Sequence, residues 1–242
     1  MSDPFDPGRR DVSDPYAPEV APFQHTEGTD ASGQAGNDSD VVTKTGTTTV
    51  GITTEDGVVI ATDRRASLGG RFVSNKNVVK VEQVHPTAAL TLVGSVGGAQ
   101  SFIRSLRAEV DLNDAREGEP MSIHALATLA GNFARGGPFF AIHPILGGVD
   151  EDGSHVYTID PAGGVISDDY AVTGSGMQLA YGAIEGSYDE SMSIEEAQDL
   201  AARAINSATE RDTGSGNGLV FATVTDEGVD VEEFDDVNEV LN

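Results

Sequence analysis

Thr47 is the residue whose type and setting most clearly suit covalent chemistry. It stands in Gly46-Thr47-Thr48-Thr49-Val50-Gly51. Cleavage of the Gly46–Thr47 bond would make it a chain start. Its Oγ nucleophile and a base, the α-amino group, would then sit on one residue. That amine has a reference pKa of about 7.7–8, near working pH as a general base requires. A threonine paired with its own terminal amine is one way of activating a weak hydroxyl. The same three threonines also suit an edge strand, because Thr favours strands.

Two charged residues are candidates to support it. Asp63, in Thr62-Asp63-Arg64-Arg65, ends the second strand run. A hairpin would return it beside the start of the first strand, near Thr47; otherwise it is a surface acid paired with an adjacent arginine. Lys80 lies between valines in Val78-Val79-Lys80-Val81. It points inward, where it needs an acidic partner such as Asp63, or it guards a sheet edge. An inward ammonium would lower the pKa of a nearby α-amine, since like charges disfavour each other.

Three glycine-containing turns complete the candidates. Gly94, in Val93-Gly94-Ser95-Val96-Gly97-Gly98-Ala99, ends a strand and opens a helix. With no GKS or GKT it is not a phosphate loop. Glycine permits close backbone approach, and its N–H could receive a developing oxyanion; a tight connection alone would also explain it. Thr173-Gly174-Ser175-Gly176 and Arg211-Asp212-Thr213-Gly214-Ser215-Gly216 are further tight turns. Ser175, Asp212 and Ser215 could hold a chain start in place, or serve as caps and turns.

Composition narrows the class. The 242 residues carry 40 acidic and 14 basic side chains, a formal net charge of -26. That balance argues against nucleic acid, which needs Lys and Arg clusters, and against an anionic membrane surface. So much like charge strains folding unless it is screened. Concentrated salt, with a screening length of about 3 Å at 1 M, would do so, and a halophilic cytoplasm is the expected compartment. With no cysteines and five scattered histidines, thiol chemistry, disulfides and the usual zinc patterns are excluded. No metal or cofactor is expected. No apolar run approaches the ~18 residues of a membrane span.

The elements that must position these residues begin abruptly. Residues 1–46 hold five of the ten prolines, nine acidic and three basic residues, and no apolar periodicity. Such a stretch cannot offset its ordering entropy, so it is expected to be a disordered leader ahead of one domain, 47–242. From Thr47 the pattern predicts strands at 48–52 and 58–62 around a Glu55-Asp56-Gly57 turn. Further strands are expected at 71–73, 78–84 and 88–93. Apolar residues at helical spacing follow Gly97 and Pro120. Strand signals return at 139–149, 155–159, 165–166 and 170–172. A short helix is expected at 176–187, then one opened by the capping box Ser193-Ile194-Glu195-Glu196. A hairpin at 219–224 and 229–234 closes the chain. Several strands before any helix argue for antiparallel sheet. The expected fold is α+β, a four-layer αββα sandwich with two antiparallel sheets between helix pairs.

Taken together, Thr47 to Ile52, Thr62 to Arg65, Asn77 to Lys80, Gly94 to Gln100, Thr173 to Gly176 and Arg211 to Gly216 resemble the β subunits of archaeal 20S proteasomes, and the charge resembles a haloarchaeal member. The match runs in order through nearly all of 47–242. The Leu68-Gly69-Gly70 stretch is one residue longer than in some relatives, and Asp63 replaces the Glu of some archaeal members. The resemblance implies an N-terminal nucleophile hydrolase fold and a threonine endopeptidase freed by autocatalytic removal of the leader. It implies Thr47 as nucleophile, Lys80 and Asp63 as its active-site partners, Gly94 as oxyanion donor, and Ser175, Asp212 and Ser215 around the amine. Ala66, Val78, Leu92 and Val96 would line a pocket for large hydrophobic side chains. It also implies α and other β subunits as partners in four stacked seven-membered rings, an activating ATPase acting through the α ring, and unfolded proteins as substrates. A non-catalytic ring subunit and a bacterial-type ATP-dependent threonine peptidase share the fold and are the alternatives.

Overall fold

A computed structural model describes residues 46–68, 71–136 and 142–241. The expected leader, apart from Gly46, lies outside the described residues. So do Gly69 and Gly70 of the lengthened stretch and Phe139 to Ala141 of the expected strand at 139–149.

Period-two alternation builds the centre of the fold. Strands β1 (Thr48–Thr54), β2 (Gly57–Asp63), β10 (Tyr170–Gly174), β11 (Leu219–Thr225) and β12 (Gly228–Phe234) form one antiparallel sheet in the order β10-β1-β2-β11-β12. Strands β5 (Val81–His85), β6 (Ala88–Thr91), β7 (Ile145–Asp150), β8 (Gly153–Ile159) and β9 (Val165–Asp168) form a second, in chain order. In β2, Val59 and Ala61 face one apolar cluster while Val58 and Ile60 face another. In β11, Leu219 and Phe221 divide from Val220, Ala222 and Val224 in the same way. Successive side chains leave opposite faces of a strand, so both strands are buried on both sides and read as nearly continuous apolar runs.

Each sheet carries a helix pair on its outer face. α1 (Val96–Glu117) and α2 (Ile123–Gly136) pack Phe102, Ile103, Leu106, Ile123 and Leu126 with Leu90, Leu146 and Ile159 of the second sheet. α3 (Met177–Ile184) and α4 (Ile194–Thr209) pack Ala180, Ile184, Leu200 and Ile205 with Val50, Ile52 and Phe221 of the first. A third cluster, including Val58, Ile60, Ile145, Val156 and Val220, fills the space between the sheets. The order is therefore helix, sheet, sheet, helix, as the pattern predicts. The sheets meet closely at glycine: a Cβ on Gly51 would lie 2.9 Å from Ile145 Cγ2, and one on Gly147 2.8 Å from Val58 Cγ1. No helix among the described residues is long and apolar enough to cross a membrane.

Several boundaries differ from expectation. The strand expected at 78–84 begins only at Val81. Val78 N–H instead donates to Arg64 O at 3.0 Å, at the end of β2, while Lys80 O accepts from Leu92 N–H at 2.6 Å. Residues 78–80 thus bond just past β2 of one sheet and just past β6 of the other, and do not join one ladder. A separate hairpin, β3 (Ala66–Leu68) with β4 (Phe72–Asn75), replaces the single short strand expected at 71–73. The capping box is present, with Ser193 Oγ accepting from Glu196 N–H and Glu196 accepting from Ser193 N–H.

The α2 start is held from a distance. Asp150, ending β7, accepts from Ile123 N–H at 2.7 Å and also binds His155 Nε2 at 2.8 Å. Burial works against its carboxylate. The hydrogen bonds from Ile123, His155 and Asp152 outweigh that and hold its pKa below the ordinary 3.8. A depressed carboxylate pKa adds stability that is present above the unfolded value and lost as pH falls through the folded one. Asp150→Ala is expected to cost about 1–2 kcal/mol at neutral pH and to flatten the stability loss below about pH 4. Denaturant unfolding at pH 7 and at pH 3 measures both.

Candidate active site

Antiparallel pairing puts the end of β2 beside the start of β1, with Thr49 opposite Thr62. Asp63, fully buried, therefore lies next to the residue that precedes β1. Thr47 Oγ1 donates to Asp63 Oδ1 at 2.8 Å. Lys80 Nζ donates to Asp63 Oδ1 at 2.7 Å and to Thr47 Oγ1 at 2.8 Å. Hydroxyl, carboxylate and amine form a closed triangle inside the protein. Lys80 is neither a surface group nor an edge guard: the segment that bonds just past β2 and just past β6 carries its amine to β2.

Burial of Lys80 pulls its pKa below the ordinary 10.5, and the Asp63 carboxylate opposes that shift. Desolvation disfavours the charged amine. A lysine so placed gives up its proton more readily than an exposed one. Asp63 is held by more than this pair. Its Oδ1 accepts from Thr48 N–H at 3.0 Å, and its Oδ2 from Arg65 N–H at 3.0 Å and Gly216 N–H at 2.9 Å.

The two glycine-serine turns converge on the same threonine. Thr47 N–H donates to Ser175 Oγ at 3.2 Å, and Ser175 Oγ–H points to Asp212 Oδ2 at 2.6 Å. Ser215 Oγ–H donates to the same Asp212 oxygen at 2.6 Å and lies 2.7 Å from Thr48 Oγ1. Ser175 is not a cap: the N-cap of α3 is Gly176, which has no side-chain capping bond. Among the described residues Ser175 is the one bonded to the Thr47 nitrogen; Asp212 and Ser215 reach the site through Ser175 and Thr48. Gly174, at φ +100°, lets the turn pass over the Thr47 carbonyl, where a Cβ would lie 2.1 Å from the oxygen.

Gly94 sits between β6 and α1 at φ +99°, bridged to Ile142. Of the expected pocket residues, Ala66 opens β3, Val78 bonds to Arg64 O two residues before Lys80, Leu92 donates to Lys80 O, and Val96 opens α1 with half its surface exposed. A surface concavity of about 440 Å³ at the α3–α4 connection, lined by Ser187, Asp189 and Arg203 among others, includes none of these residues.

Some contributors carry no signal in the sequence. Arg65 donates from Nε to Asn217 Oδ1 at 2.9 Å and from Nη1 to Thr213 O at 3.1 Å. It clamps the loop that supplies Ser215 and the Gly216 N–H. Gly46 N–H donates to Ser67 Oγ at 3.1 Å. Ser67 is one serine in an irregular hairpin, and nothing in its neighbours distinguishes it.

A four-layer αββα sandwich with a threonine poised ahead of β1, on an inward lysine and aspartate, defines the class of N-terminal nucleophile hydrolase folds. More narrowly, the chain belongs to the proteasome subunit family, whose family model matches residues 43–224. It is 70% identical over 238 residues to a proteasome subunit beta of Halorhabdus utahensis, covering 98% of this chain and 97% of that one. It is 69% identical to a proteasome subunit beta 2 of Haloarcula marismortui, over 96% of this chain and 97% of the relative. A proteasome subunit beta 2 of Haloterrigena turkmenica is 70% identical, over 94% and 93% of the respective chains.

Removing one partner of a buried ion pair strands the other, at about 3–5 kcal/mol. Lys80→Met is expected to lower unfolding stability by that order. The double variant Asp63→Asn with Lys80→Met is expected to recover part of it. Chemical denaturation of the two variants against the parent chain measures the difference.

Proposed function

We propose that this chain is a threonine endopeptidase subunit of a 20S proteasome core, made with a leader, residues 1–46, that it removes itself. The observation that carries this reading is the triangle of Thr47 Oγ1, Lys80 Nζ and Asp63 Oδ1, all within 2.8 Å of one another. A subunit serving only assembly has no need of a buried ammonium against a threonine hydroxyl.

With the leader attached, the Thr47 nitrogen is an amide. It donates to Ser175 Oγ and has no free lone pair to accept a proton. Two groups then touch Oγ, Asp63 as acceptor of its hydroxyl hydrogen and Lys80, whose pKa burial lowers; Lys80 in its neutral form is the group proposed to take the proton. Thr47 Oγ attacks the Gly46 carbonyl carbon, an Oγ–C bond forms, the C–N bond breaks, and the proton passes to the departing nitrogen. Water hydrolyses the resulting ester, releasing a leader that ends in a Gly46 carboxylate and freeing the Thr47 amine and hydroxyl. In the mature subunit the same Oγ attacks substrate carbonyls with the freed amine as base. The Gly94 N–H, in a turn at positive φ between β6 and α1, is the donor proposed for the oxyanion.

Ala66, Val78, Leu92 and Val96 are proposed as the pocket that receives large hydrophobic side chains before the cut. The partners are α and further β subunits in four stacked seven-membered rings, with an activating ATPase acting through the α ring. The substrates are unfolded proteins. The compartment is the cytoplasm of a salt-adapted cell, and no cofactor takes part.

Thr47→Ala is expected to give a chain that keeps residues 1–46 and has no peptidase activity, read by intact mass and fluorogenic peptide hydrolysis. Thr47→Ser keeps the hydroxyl and should retain part of the activity. Peptidase activity in Thr47→Ala would refute the mechanism, and predominant cleavage after Lys or Arg would refute the pocket.

A further inference from the structure

The contacts of Gly46 exist only while the leader is attached. Gly46 is buried, and its N–H donates to Ser67 Oγ. Its Cα rests on the backbone of Gly214: a Cβ on Gly46 would lie 2.2 Å from Gly214 Cα, and one on Gly214 2.4 Å from Gly46 Cα. The hairpin that supplies Ser67 is otherwise open. Leu68 is 45% and Phe72 64% exposed, yet Ser67 is 1% exposed. A register shift between Ala66 and Ser67, with Ser74 Oγ fastened to Ala66 O at 3.1 Å, accompanies this turn inward. Bulges of this kind re-aim a side chain.

We propose that Ser67 is a positioning residue for self-cleavage, holding the Gly46 peptide so that its carbonyl faces Thr47 Oγ. This rests on the Thr47 reading given above. Glycine has the widest backbone freedom of any residue, so a scissile carbonyl on Gly46 is held only if the residue is fixed at both ends. Thr47 fixes one end through Asp63, Lys80 and Ser175. Ser67 fixes the N–H at the other, and Gly214 closes off the space beside Cα. Misorientation of a reacting carbonyl carries a large rate cost. Ser67 bonds to the leader and not to Thr47, so its effect ends when Gly46 departs.

The test follows leader loss by timed intact-mass measurement on the full-length chain with Ser67 as Ala or Thr, beside Thr47→Ala. Ser67→Ala should slow leader loss about tenfold, and Ser67→Thr, which restores the hydroxyl, should return it to within about threefold of the parent. Thermal melting supplies a second readout. The processed Ser67→Ala chain should melt with the processed parent, because the hydroxyl no longer has Gly46 to hold. Leader loss at the parent rate in Ser67→Ala, with Thr47→Ala still unprocessed, would overturn the role of Ser67 alone. So would an equally slow Ser67→Thr whose processed form melts below the parent, which would mark damage to the hairpin. Leader loss in Thr47→Ala would overturn the reading on which the proposal stands.

Discussion

The site depends on one buried carboxylate. Asp63 collects five donors: the Thr47 hydroxyl, the Lys80 ammonium, and the backbone N–H groups of Thr48, Arg65 and Gly216. A buried charge is tolerable only when it is paired and hydrogen-bonded, and here the partners come from four separate stretches of chain. Meeting that requirement also assembles the site. The groups that satisfy Asp63 include the hydroxyl proposed to attack and the amine proposed to exchange its proton. Stability and the proposed chemistry thus draw on the same bonds.

The sandwich supplies the rigidity this arrangement needs. β1 and β2 lie inside the first sheet, covered by α3 and α4 on one side and by the second sheet on the other. Thr47 stands just ahead of β1 and Asp63 ends β2, so their separation is set by the ladder between them. Interiors packed at crystal-like density resist small shifts. Arg64 and Arg65 extend the order outward. Arg64 pairs with Glu233 and Asp235 at the end of β12 and beyond it, while Arg65 braces the loop around Ser215.

Much of the fold was legible because local chemistry and global structure agree. The Ser193 box, the apolar faces of α1 and α4, and the glycine turns each carry their own signal. Boundaries failed where tertiary bonding overrides local pattern. The valines around Lys80 read as strand, but the segment bonds just past one strand of each sheet. In the site, Asp63 and Lys80 could be suspected from a hairpin and from a lysine among valines. Ser67, Arg65 and the Gly216 N–H could not, since a serine in a short hairpin, an arginine after an acid and a backbone amide look the same wherever they point.

The residue types and their order settled that the fold is layered and antiparallel, because alternation and helical spacing are local properties that a chain carries with it. They also excluded a thiol from any chemistry, since the chain has no cysteine. Which hydroxyl meets which charge was decided only by tertiary structure. Thr47, Asp63 and Lys80 are separated by 16 and 17 residues, and Ser175 lies 128 residues from Thr47. Contacts over such separations are set by strand register and by which groups must share one buried carboxylate, and neither is written in any single stretch of the chain.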